Sequence, residues 1–153
     1  GLTLVEVVIA TSVILVFFLA LFGVNNIYIR SAFQNANTIK ATLLAEEGLE
    51  AVRFLRDASW EDNIEVLTVG QNYGLVLQSN SWETTTDNIY TDSLFERIVT
   101  FNDVYRDSNS DIVLSGGTLD ANTKLVTVDV AWKKGGATST VSVKTYITNL
   151  LDE

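Results

Sequence analysis

The chain has 153 residues, a formal net charge of −9, and no histidine, cysteine, proline or methionine. Without cysteine there is no disulfide and no thiolate metal site, and without histidine the commonest general base and metal ligand is missing. Catalysis would have to rest on carboxylates, lysine or hydroxyls alone, so we expect a non-enzymatic chain with no cofactor. The charge is uneven: residues 1–57 carry five acids and four bases, residues 58–153 fourteen acids and six bases. So acidic an outer domain disfavours direct binding of nucleic acid, which is itself densely anionic.

Residues 1–24, GLTLVEVVIATSVILVFFLALFGV, are almost wholly apolar, with Glu6 the one charged side chain. A membrane span needs roughly 20 apolar residues, so the run is long enough. A carboxylate at membrane depth costs about 2.5–3.5 kcal/mol unless neutralised or paired, and such a residue reads as functional. The run starts at residue 1 with no Lys or Arg before it, and residue 1 is not methionine. A processed chain whose basic leader has been removed is expected.

Gly1-Leu2-Thr3-Leu4-Val5-Glu6-Val7 resembles the cleavage-site signature of type IV pilins and the related pseudopilins of type II secretion. The resemblance implies peptidase cleavage after Gly1, N-methylation of Leu2, and Glu6 as the fifth mature residue. Gly1 departs from a cleaved product, because cleavage would remove it. Glu6 is then the candidate assembly residue. In the membrane it sits near the interface or pairs with its own chain's amine. In a filament, where spans pack among identical spans, a buried carboxylate needs a cation, and a neighbour's N-terminal amine is the best candidate. That pairing would set axial register. The alternative is a tolerated interfacial Glu on a simple anchor.

Residues 25–57 lack proline and are rich in Ala, Leu, Glu and Arg, so the helix is expected to continue. Its apolar stripe drifts: Ile29, Ala32, Phe33, Ala36, Ile39 and Leu43 share one face, then Ala41, Leu44, Gly48, Val52 and Leu55 share another. One helix with two burial tasks fits this pattern; a span followed by a separate amphipathic helix is the alternative. Gly23 sits near the membrane edge, about where many pilins carry a helix-breaking proline, and is a candidate hinge. Residues 45–60 resemble the end of the long helix in minor pilins. Trp60 is read as a core or hinge anchor.

Beyond Trp60 the period becomes that of strands. Ile64–Val69 and Tyr73–Gln78 are short strand candidates. Leu94–Tyr105 reads as a longer strand with Phe95, Val99 and Phe101 on one face and Leu94, Ile98 and Val104 on the other. Val126, Val128, Val130 and Trp132 alternate with polar or small residues, and alternation resumes at Val141, Val143 and Ile147 after Lys133-Lys134-Gly135-Gly136. Paired glycines between alternating runs signal a hairpin. Residues 79–81 and 84–88 read as surface loops. Trp82 and Tyr90 are exposed-loop candidates, for packing or for adhesion. Lys133 and Lys134 are solvated charges at the hairpin tip, with an inter-subunit contact as the alternative. Asp107-Ser108-Asn109-Ser110-Asp111 sets oxygens at alternate positions as in a calcium loop. Ile112 and Thr118 stand where that loop needs Gly and a bidentate Glu, so a polar turn is read first, calcium second, and no metal is assigned.

The expected architecture is therefore α+β and pilin-like: a long N-terminal helix packed on a C-terminal antiparallel sheet. Its parts are an apolar anchor at 1–24, an amphipathic half-helix at 25–57 and a sheet domain at 58–153. The resemblance implies a structural subunit of an extracellular type IV pilus-like filament (a fimbrium), held in the cell membrane by one transmembrane span before assembly. Its expected partners are itself as a helical homopolymer, other pilins, a prepilin peptidase and an inner-membrane assembly platform. A type II secretion pseudopilin, a minor pilin and a membrane-anchored ligand-binding domain are the alternatives. Motility, cell adhesion, DNA uptake and secretion are left open, since they depend on partners.

Overall fold

The computed structural model describes residues 1, 3–134 and 136–150. One α-helix, α1 (Leu4–Ala58, 55 residues), is followed by a π-helical turn (Glu61–Glu65). The strands are β1 (Asn72–Gln78), β2 (Ser81–Thr85), β3 (Tyr90–Thr91), β4 (Phe95–Arg106), β5 (Ile112–Val113), β6 (Thr118–Lys134) and β7 (Ala137–Thr148). They form one seven-stranded antiparallel sheet in the order β2-β1-β4-β6-β7, with β3 and β5 added to β4. The expected α+β layout, a long helix with an antiparallel sheet, is what the chain forms.

The chain divides into two compact units, Gly1–Ile39 and Lys40–Glu153. In the first, every described side chain from Thr3 to Ala36 is exposed. In the second, the last part of α1 lays Ala41, Leu44, Ala45, Leu49, Val52 and Leu55 against the sheet at helical spacing. The facing strand residues are Phe95, Val99 and Phe101 on β4 and Val126, Val128, Val130 and Trp132 on β6, all buried. Trp60 is buried at the helix exit and Ile147 closes the core from β7. Phe95 and Trp132 pack with ring centroids 5.9 Å apart, Tyr73 and Phe101 at 6.3 Å. Helix and sheet approach closely at Gly48. A Cβ there would lie 2.8 Å from Val128 Cγ1 and 3.2 Å from Arg97 Cδ.

Two local expectations are corrected. Ile64–Val69 is not a strand: Glu61–Glu65 stays helical because Ser59 and Asn63 extend the winding. The Ser59 hydroxyl accepts from the Asp62 amide at 3.1 Å, and Asn63 Nδ2 donates to the Leu55 carbonyl at 3.0 Å. Residues 81 and 84–85 are not loop but part of β2. Ser79 and Asn80 take φ of 49° and 66°, and this left-handed pair closes a two-residue hairpin turn with Gln78 opposite Ser81. Val104 is buried, yet it stands apart from the core cluster of Phe95, Val99 and Phe101, and the ladder slips between Asp103 and Val104. Asp103 pairs with Lys124 and Val104 with Asp120, so residues 121–123 of β6 have no opposite number on β4 and form the bulge.

Beyond the slip, Arg106 Nε donates to Asp120 Oδ2 at 2.6 Å. That bond, helped by Thr123 and the Asn122 amide and opposed by burial, holds the Asp120 carboxyl below its ordinary range. A depressed carboxylate stabilises the fold above its unfolded pKa of about 3.9, and that stability is lost as pH falls through the lower folded value. Asp120→Asn should cost roughly 1 kcal/mol at pH 7 for this partly exposed pair. It should also flatten the fall in melting temperature below about pH 4. Gly48→Leu should cost about 1–3 kcal/mol by overpacking, read as a lower thermal midpoint of the full chain in detergent.

Candidate functional site

The first turn of α1 is closed by Thr3 and Glu6. Glu6 Oε2 accepts from the Thr3 amide at 2.9 Å and from Thr3 Oγ1 at 3.1 Å. The Glu6 amide in turn donates to Thr3 Oγ1 at 3.3 Å, and the Val7 amide reaches the Thr3 carbonyl at 3.3 Å. This is a capping box, in which a Thr and a Glu three residues on satisfy each other's backbone donors. Amides at a helix start have no intrahelical acceptor, and in apolar surroundings each would be costly to leave bare. The Thr-x-x-Glu spacing was visible in the sequence as a helix-start signal. Thr3 is the residue that reading Glu6 alone overlooks.

From Leu4 to Val24 the helix presents apolar side chains all round, long and apolar enough to cross a membrane. Its few polar groups bond back onto the helix. Thr11 Oγ1 donates to the Val7 carbonyl at 2.9 Å, Ser12 Oγ to the Val8 carbonyl at 2.7 Å, and Asn26 Nδ2 to the Phe22 carbonyl at 3.0 Å. Gly23 lies inside the continuous helix, and beyond its chain neighbours and the adjacent helix backbone no described atom comes within 4 Å of where its Cβ would stand. Close packing within the chain therefore does not explain it. Gly1 is exposed beside the capped turn; Leu2 lies outside the described residues. Gly1 and Glu6 thus share one end of the helix, and Gly23 stands far along it.

The other singled-out residues do not gather into a site. Asp107–Asp111 is a polar turn closed on itself: Asp107 Oδ1 accepts from the Asn109 and Asp111 amides at 2.8 and 3.0 Å. Arg106 Nη1 donates to the Ser110 carbonyl at 2.8 Å. Among the described residues, no three His, Cys, Asp or Glu side chains cluster as metal ligands would. Trp82 is half-buried on β2, its ring 5.3 Å from the Arg97 guanidinium, while Tyr90 and Lys133 are exposed.

Compared with family models, curated proteins and solved structures, the chain matches none. The capped apolar helix is thus the feature on which a functional reading rests. Thr3→Ala should remove one half of the box and cost about 1 kcal/mol locally. Amide exchange at residues 4–7 in detergent micelles should rise roughly fivefold, with the sheet unaffected.

Proposed function

We propose that the chain is a structural subunit of an extracellular filament of the type IV pilin kind, working by polymerising through its N-terminal helix. The supporting observation is the exposed apolar helix bearing a single carboxylate in its capped first turn. Contiguous apolar patches of a few hundred Å² already mark interaction surfaces or membrane contact. Before assembly, lipid would surround residues 1–24; after it, the helices of other copies would. The N-terminal signature adds a processed Leu2 as the new amine. Glu6 of one copy then meets that amine on the next, which sets how far subunits slide along one another. Gly23 is the natural place for the helix to loosen during transfer, since glycine costs about 1 kcal/mol relative to alanine there.

One substitution separates charge from capping. Gln serves a capping box as Glu does but cannot pair with an ammonium group. Glu6→Gln should therefore insert in the membrane with its helix start intact, yet give filaments at a tenth of the normal yield or less in sheared cell-surface fractions viewed by electron microscopy. Normal filaments from Glu6→Gln would reduce the residue to a helix cap. A wild-type chain that makes no filaments would remove the polymerisation reading altogether.

A further inference from the structure

The sheet ends in two different strands. Among the described residues β7 pairs only with β6 through 12 residues, and β2 only with β1 through five. Unpaired edges are templates for another chain's strand, and proteins usually blunt them with proline, bulges or several charges. Here β7 has no proline, keeps one register from Thr148 to Ala137, and carries one charge, Lys144. The charge on β2 is Glu83. Both side chains are exposed.

Neither of these edge charges forms an ion pair within the described residues. Lys40, Arg53, Arg56, Arg97, Arg106 and Lys124 each pair with a carboxylate. Register places Lys144 and Glu83 on the face away from α1. Lys144 is opposite Thr127, between the inward Val126 and Val128, and Glu83 is opposite Val76, next to the inward Leu75. On the inward face the same edges hold apolar residues that the core covers only in part: Trp82 on β2, and Val141 and Val143 on β7.

Strand direction fixes how two copies could meet. Every neighbouring pair along the sheet path is antiparallel, so β2, β4 and β7 run one way and β1 and β6 the other. Two copies in the same orientation therefore bring β7 of one beside β2 of the next in parallel. Setting Lys144 beside Glu83 in that pairing sets Val143 beside Trp82.

We propose that β2 of one copy adds to the β7 edge of the next as a parallel strand. A Glu83–Lys144 ion pair lies on the outer face and Trp82 covers Val143 on the inner face, so that one sheet continues from copy to copy. The contact is heterologous, two different patches meeting, so it repeats instead of closing into a dimer. The proposal rests on the filament reading for the common orientation of the copies.

The chain has no cysteine, so introduced thiols are the only ones. Full-length Glu83→Cys/Lys144→Cys filaments, oxidised with copper phenanthroline and run without reductant, should give a ladder of two, three and more linked copies. Glu83→Cys/Thr140→Cys, about 13 Å off register along the same exposed edge, should stay largely unlinked. Lys144→Glu should lower filament yield about tenfold, and adding Glu83→Lys should restore it. Filaments without a ladder, equal linking at Thr140, or a charge swap that restores nothing would each overturn the strand joint while leaving the filament reading standing. Absence of wild-type filaments would overturn that reading and the joint's premise of common orientation with it.

Discussion

Arg97 sets the terms on which helix and sheet meet. It projects from β4 toward α1 with 4% of its surface exposed, a position where an unpaired cation would cost several kcal/mol. Its guanidinium reaches the Leu44 carbonyl at 3.3 Å and Glu47 at 3.1 Å, both on α1, and faces the Trp82 ring on β2. One side chain therefore ties the helix, a central strand and an edge strand. The close approach at Gly48 follows, since a larger residue would push the Arg97 stem and Val128 apart. Arg97 Nε has no hydrogen-bond partner, so the pair is not an optimised source of stability. Its effect is to fix one alignment of helix on sheet.

The two units solve opposite problems with one helix. Residues 41–55 hide their apolar stripe in a core that the sheet completes. Residues 4–36 hide none of theirs. The drifting stripe read from the sequence corresponds to this division: the second set of apolar positions is buried in the chain's own fold, and the first is exposed. The acid excess of residues 58–153 belongs to the sheet domain, where it favours solvation over collapse onto like-charged neighbours.

Sequence periodicity was a good guide where one face of an element is buried by another. Val126, Val128, Val130 and Trp132 are all buried, and Gly136, with φ of 90°, lies in the turn between β6 and β7. It failed where side-chain chemistry overrides pattern. Ser59 and Asn63 wind residues 61–65 past the end of α1, so an apolar run there cannot extend. A Ser-Asn turn with two left-handed residues made a hairpin out of a polar stretch that lacks the usual glycine. The slip at Asp103 and Val104 left no periodic trace, because it depends on which partner residues bulge, a property of β6 and not of β4. At the candidate site Glu6 was legible from its charge, whereas Thr3 required reading the helix start as a hydrogen-bonding problem.

The back-bonded hydroxyls of Thr11 and Ser12 bear on how such a helix changes surroundings. A polar side chain that bonded to lipid headgroups or water would have to surrender those bonds on every move into a packed bundle. These two bring their acceptors with them, one turn back along the same helix, as Thr3 and Glu6 do at its start. These two hydroxyl bonds thus need nothing from the surrounding medium. For Thr11 and Ser12, a change of apolar surroundings would exchange van der Waals neighbours and leave these two hydroxyl bonds in place.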